Sequence, residues 1–214
     1  MYNIDYNKYR VKLTQKIIDK YINLKSLNVS DNKYITNVNH LVKLEILDAS
    51  RSCGINDAGI VKCINLKSLN ASCNAKITNV NHLVKLEILN ALKSGINNAG
   101  IVNCINLKSL NASDRSKITN VNHLVNLEIL NASGYYCNMN NAGIINCINL
   151  KSLNANDNYR IQTVNHLTKL EFLDASGFCG INDAGIMQCI NLKSLKALNN
   201  PGITTVNHLT KLEF

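Results

Sequence analysis

The stretch Leu66–Asn106 reads LKSLNASCNAKITNVNHLVK and then LEILNALKSGINNAGIVNCIN. The same two half-units, lightly edited, recur from Leu24 almost to the last residue. Successive units open at Leu24, Leu44, Leu66, Leu86, Leu107, Leu127, Leu150, Leu170, Leu192 and Leu212, with spacings that alternate between 20 and 21–23 residues. A fixed period of this length means stacked coils that share one continuous core.

Side chains alternate along a strand. Within one unit, Leu66, Leu69 and Ala71 therefore point inward, while Ser68 and Asn70 point out. Successive strands pair in parallel, roughly 4.8 Å apart. The pattern resembles the leucine-rich repeat, L-x-x-L-x-L-x-x-N/C-x-L. The resemblance covers residues 24–211 as nine complete units, with 212–214 opening a tenth. It implies an α/β repeat solenoid, with a short-stranded parallel sheet on the concave side and short helices or turns outside. Alanine at the sixth position, where the family usually carries leucine, should thin the core.

Asn32, Asn74, Asn158 and Asn200 occupy the family's asparagine position, where a buried amide satisfies backbone groups of the turn. Arg115 interrupts that ladder. The longer units place Cys53, Ser94, Cys137 or Cys179 two residues before a core Ile or Met. This variant, with the return segment GINDAGIVKCIN, resembles the cysteine-containing leucine-rich repeats of F-box proteins. The Asn-rich alternating style also resembles repeat proteins of large amoebal DNA viruses. Asn56 or Asp57 is expected to cap a short helix, with Ile60, Cys63 and Ile64 as its inward stripe. In the shorter units, Val38 and Leu41 face inward from about one turn.

Residues 1–23 depart from the full repeat. Leu13, Ile17, Ile18, Tyr21 and Ile22 recur at helical spacing, and KIIDKYIN aligns with AGIVKCIN. This segment reads as a degenerate half-repeat capping the stack. At the other end no cap follows Leu212, so the chain is expected either to be a fragment or to self-associate through that open end. No apolar run opens the chain, and none approaches the ~18 residues of a membrane span. An intracellular, cytoplasmic protein without a membrane segment is expected.

The residue types that carry chemistry are spread out by the repeat. The five histidines His40, His82, His123, His166 and His208 share one repeat position. They recur every second coil, so neighbours sit about 10 Å apart, too far to share a zinc ion. Cys63, Cys104, Cys147 and Cys189 alternate in the same way and read as small buried apolar residues. Cys53 and Cys73 fall on adjacent coils, close enough for their side chains to meet. The recurrent Gly59, Gly100, Gly143 and Gly185 read as close-packing positions. No enzyme activity, cofactor or metal is expected.

The formal net charge is +9. At strand entry, Lys25, Lys67, Lys108, Lys151 and Lys193 alternate with Glu45, Glu87, Glu128, Glu171 and Glu213, which reads as a register device. The surplus is dispersed, unlike the clustered basic face of a nucleic-acid binder.

Variation concentrates just after the strands. Tyr34, Arg51, Arg115, Tyr135, Tyr136, Tyr159, Arg160 and Phe178 all lie there, and Tyr and Arg are enriched in binding hot spots. A second candidate surface is the strand stripe Ile46, Ile88, Ile129 and Phe172, spaced by serines. The reading is a non-catalytic protein–protein interaction scaffold. The F-box resemblance implies an alternative, the substrate-receptor part of a ubiquitin ligase assembly. The positive surplus leaves polyanion binding as a third.

Overall fold

The leucine frames from Leu24 to Leu192 each become a three-residue strand, and within each of two units every strand hydrogen-bonds to the next in parallel. The computed structural model describes residues 3–5 and 13–213. The fold falls into two units, residues 1–107 and 108–214. The first carries β1 (Asn3–Asp5), β2 (Ser26–Asn28), β3 (Ile46–Asp48), β4 (Ser68–Asn70) and β5 (Ile88–Asn90), paired in that order. The second carries β6 (Ser109–Asn111), β7 (Ile129–Asn131), β8 (Ser152–Asn154), β9 (Phe172–Asp174) and β10 (Ser194–Lys196), again in order. Register follows the repeat: Leu47 lies opposite Leu69, and Leu130 opposite Leu153.

The core is the inward frame. Leu66, Leu69, Ala71, Ile77, Val80 and Leu83 are all buried, as are their counterparts up to Leu192, whereas Leu195, Ala197, Ile203 and Val206 of the last coil are half-buried. Between strands the chain returns through one helical turn or none. Those turns are α1 (Gln15–Ile18), α2 (Asp57–Ile60) and α3 (Asn141–Ile144), with 3-10 turns at Asn98–Ile101 and Asp183–Ile186. No helix among the described residues is long and apolar enough to cross a membrane.

Two expectations from the sequence need correction here. Ile64 is not part of an inward stripe; it is 53% exposed. The helical period ends with α2 at Ile60, so Cys63 faces in and its neighbour faces out. Tyr21 aligns with the buried Cys63, yet it too is exposed. In the amino-terminal segment the structure adds β1, which no leucine frame marks, with Asn3 opposite Ser26. The part of the expected helical stripe that runs through residues 9–12 lies outside the described residues.

Three sets of polar contacts lock coil to coil. The first is the asparagine ladder. The fully buried Asn158 donates to the carbonyls of Ala132 (2.8 Å) and Met139 (3.1 Å) and accepts from the Arg160 N–H (2.9 Å). Asn74 and Asn200 make the equivalent three bonds. Where Arg115 interrupts the ladder, Ser116 turns inward instead and accepts from the Ile118 N–H.

The second set sits on the return side. Asn56 is the cap, accepting from the Gly59 N–H at 3.1 Å. Asp57 reaches to the next coil and accepts from the Thr78 N–H at 2.7 Å. Asp183 does the same for the N–H groups of Thr204 and Thr205 and for the Thr204 hydroxyl, and these bonds hold its carboxyl below the usual range. Between these points the backbones touch. A Cβ on Gly59 would collide with the Thr36 carbonyl oxygen, so the glycine is a steric requirement of the coil spacing.

The third set is the charge ladder at strand entry. Glu45 is held between Lys25 (3.1 Å) and Lys67 (2.9 Å). Lys151 pairs with Glu128 at 2.9 Å, and Lys193 with Glu171 at 2.7 Å. The lysines hold the Glu45 and Glu171 carboxyls below their ordinary range, and the glutamates raise Lys67 and Lys193. These groups are exposed, so each pair contributes little by itself.

A feature without a sequence mark is the turn after each strand. Three residues past the strand end, every coil from β2 onward adopts positive φ: Asp31, Arg51, Cys73, Lys93, Asp114, Gly134, Asp157, Gly177 and Asn199. Its N–H then points along the stack; Cys73 donates to the Leu92 carbonyl (2.8 Å) and Gly134 to that of Asn156 (2.7 Å). Two of the nine are glycine and four are Asp or Asn, which tolerate this region; Arg51, Cys73 and Lys93 carry the backbone strain. The same turn separates Cys73 from Cys53: Cys73 is exposed, Cys53 is buried, and both thiols are free.

Three outcomes are expected. Asn158→Ala removes three bonds and strands two buried carbonyls, lowering unfolding free energy by about 2–4 kcal/mol in a denaturant titration. Cys73→Gly relieves the left-handed strain at some entropic cost, raising stability by about 0.5–1 kcal/mol and shifting the same titration upward. The depressed Glu45, Glu171 and Asp183 contribute stability above the ordinary carboxylate range that is lost as pH falls through their folded values. Melting temperature therefore drops on acidification from pH 6 to pH 3, and the drop is shallower in the E45Q/E171Q variant.

Candidate recognition surface

The left-handed turn decides what each coil displays beyond its strand. After β7, Gly134 takes φ 105° and the Cys137 N–H closes back onto the Gly134 carbonyl at 2.9 Å. Cys137 is buried, and Tyr135 and Tyr136 are left at the apex, more than half exposed. After β8, Asp157 turns left-handed and Asn158 anchors the loop in the core, which pushes Tyr159 and Arg160 outward. After β9, Gly177 turns the chain and the Phe178 N–H donates to Asp157 Oδ1 at 3.0 Å, leaving the Phe178 ring 76% exposed.

The turns after β6, β7 and β8 build one continuous stack. The Arg115 guanidinium lies over the Tyr136 ring, 4.7 Å from its centroid. Tyr136 meets Tyr135 edge to face at 5.5 Å, and Tyr135 meets Tyr159 at 5.5 Å with tilted rings. The Arg160 guanidinium covers Tyr159 at 4.9 Å. Aromatic pairs and cation–π contacts of this geometry each add a fraction of a kcal/mol to about 1.5 kcal/mol. Beside the stack, Tyr135, Tyr159, Phe178, Pro201 and Asn182 wall a hollow of about 510 Å3. The thiol of Cys179 lies in its lining, and burial pushes it up to about 11, away from the nucleophilic thiolate.

Of the candidates named from sequence, the structure thus brings together Arg115, Tyr135, Tyr136, Tyr159, Arg160 and Phe178, all in the second unit. Tyr34 and Arg51 lie in the first. Tyr34 has Lys33 over its ring at 5.3 Å, and Arg51 pairs with Asp31 at 3.3 Å. Ile46, Ile88, Ile129 and Phe172 are about half exposed on the strands, but register separates them. Ile46 sits between Ser26 and Ser68, Ile129 between Ser109 and Ser152, and Phe172 between Ser152 and Ser194; Ile88 lies beside Ser68. They are isolated apolar points rather than a patch.

Sequence reading missed Asn182 and Pro201 as walls of the hollow. Pro201, the single proline of the chain, was the available signal.

The reactive side chains are spent on structure. His40, His82, His166 and His208 each place Nε2 3.1–3.3 Å from the carbonyl oxygen of Ile18, Ile60, Ile144 or Ile186, which makes Nε2–H the donor. The thiols of Cys63, Cys104, Cys147 and Cys189 donate to the carbonyls of Val38, Val80, Val121 and Val164. Burial raises these four to about 11. Among the described residues, no three His, Cys, Asp or Glu side chains are grouped to hold a metal ion.

No protein-family model matches the sequence, and no curated protein does. Solved structures do match. An internalin, InlF, of Listeria monocytogenes aligns at 17% identity with a TM-score of 0.62, covering 94% of this chain and 74% of that one. The functional domain of InlJ from the same organism, which includes a cysteine ladder, aligns at 19% identity and 0.65, covering 88% of this chain and 43% of that one. A leucine-rich repeat protein of Leptospira interrogans aligns at 17% identity and 0.59, covering 94% and 62%. The chain thus spans less than half of the InlJ domain and under two thirds of the Leptospira protein. At these identities the likeness concerns the fold, and the fold of this chain is the leucine-rich repeat.

Proposed function

We propose that the chain is a non-catalytic protein-recognition scaffold whose contact surface is the loop edge of the second unit. The observation that carries this reading is the Arg115–Tyr136–Tyr135–Tyr159–Arg160 stack with Phe178 beside it. Tyrosine supplies large, rigid contact area with few rotors to freeze, arginine adds a planar array of donors, and both are enriched in binding hot spots. The stack is held by the coil turns, so its order exists before any partner arrives, which lowers the cost of association. Four of the histidines and four of the cysteines are engaged with backbone carbonyls, which fits a scaffold rather than a catalyst. The resemblance to F-box repeat proteins and the +9 charge remain the two alternative sources of a partner, a ubiquitin-ligase assembly and a polyanion.

The test is affinity capture from the cell that makes the protein, read by quantitative mass spectrometry. Wild type is compared with the Y135A/Y136A/Y159A/R160A variant. All four side chains are exposed, so the variant is expected to melt within a few degrees of wild type and to lose the captured partner. Retained capture by a folded variant overturns the reading. Capture that collapses steeply with added salt points to polyanion binding instead.

A further inference from the structure

Arg115 and Arg160 differ from Arg51 in what their guanidinium groups do. Arg51 is neutralised by Asp31 at 3.3 Å. Arg115 and Arg160 form no ion pair among the described residues; each sits over a tyrosine ring. A guanidinium held by a ring rather than by an acid still has its N–H donors to offer to a carboxylate. Two carboxylates of the adjoining turns bond backbone N–H groups. Asp157 accepts from the Phe178 N–H and Asp174 from the Ser176 N–H at 3.1 Å. The surface therefore offers two fixed, unneutralised cations at the ends of an aromatic stack, with an apolar-walled hollow alongside. At about 510 Å3 this hollow falls within the size range of ligand sites, ~300–1,000 Å3.

Resting on the recognition reading above, we infer that the stack binds an acidic peptide segment of a partner protein. Arg115 and Arg160 take its Asp or Glu carboxylates, and an aromatic or proline side chain of the segment enters the hollow between Tyr135, Tyr159 and Phe178. The net charge of +9 favours encounter with such a segment. A nucleic acid fits less well. Base stacking needs free ring faces, and an arginine takes one face of Tyr136 and of Tyr159 while Tyr135 already contacts two rings, so Phe178 is the one widely open ring of this surface.

The experiment is selection of phage-displayed random peptides on the full chain, followed by fluorescence polarisation with the selected consensus peptide. The consensus is expected to carry Asp or Glu on either side of an aromatic residue or proline. Y135A/Y159A should weaken it at least tenfold. R115E/R160E should also weaken it at least tenfold and should instead bind the same peptide with its acids changed to lysine. That reversal is a result that loss of folding cannot produce. Peptides that need Tyr135 and Tyr159 but carry no acid, or that ignore R115E/R160E, overturn this inference and leave the recognition reading standing. Selected peptides that are all indifferent to Y135A/Y159A overturn both. Tighter binding of a short oligothymidylate than of any selected peptide, lost in R115E/R160E, overturns the peptide assignment in favour of nucleic acid.

Discussion

Everything in this fold depends on satisfying buried backbone groups from one coil to the next. A coil of 20–23 residues is mostly turn, and a turn packed on both sides by other turns has no water to bond. The strands solve this for only three residues per coil. Of the remaining N–H and C=O groups, many pair with backbone of the same or the next coil, as Val38 N–H does with the Gly59 carbonyl, and the repeat supplies side chains for others. Asn74 and Asn158 bridge two carbonyls and a donor at one corner; Asp57 and Asp183 collect the donors of the next coil on the return side. Cysteine thiols and histidine Nε2–H groups reach single carbonyls between these points. Residue types that elsewhere suggest chemistry are recruited here to hydrogen-bond a backbone.

The same constraint explains where side chains are forbidden and where strain is accepted. Gly59 and its counterparts face a carbonyl oxygen of the preceding coil at a distance no Cβ tolerates. Left-handed residues after each strand aim an N–H along the stack, and the coil accepts the conformational cost even at Arg51, Cys73 and Lys93. Once those contacts are fixed, the residues just beyond the left-handed position are the part of the coil freest to vary. That is where the tyrosines and arginines accumulate. Variable display on a rigid, hydrogen-bonded frame gives recognition without requiring the frame to change.

The charge ladder and the strand stripe illustrate the difference between regularity and a site. Glu45 between two lysines and Ile46 between two serines are both consequences of the alternating repeat. Neither converges on a point. Among the described residues, side chains converge around Tyr135, where successive turns each depart from the repeat in a compatible way.

The sequence alone determined the coil. Its period and leucine frame specify the parallel strands, the buried Leu, Ile and Val set and the asparagine ladder with its break at Arg115, because inside and outside alternate within each local unit. The tertiary structure decided what depends on adjacent coils meeting. It turned Ile64 outward, since α2 ends before the helical period reaches it. It separated Cys53 from Cys73 through a left-handed turn that no glycine announces at that position. It kept Arg51 paired with Asp31 while leaving Arg115 and Arg160 stacked on rings. Tyr135 and Tyr159 are 24 residues apart in the chain, and that they touch follows from the coil length that brings successive turns into contact. The spacing could be counted from the sequence; the ring orientations and the hollow beside them could not, because they depend on where three loops direct their side chains at once.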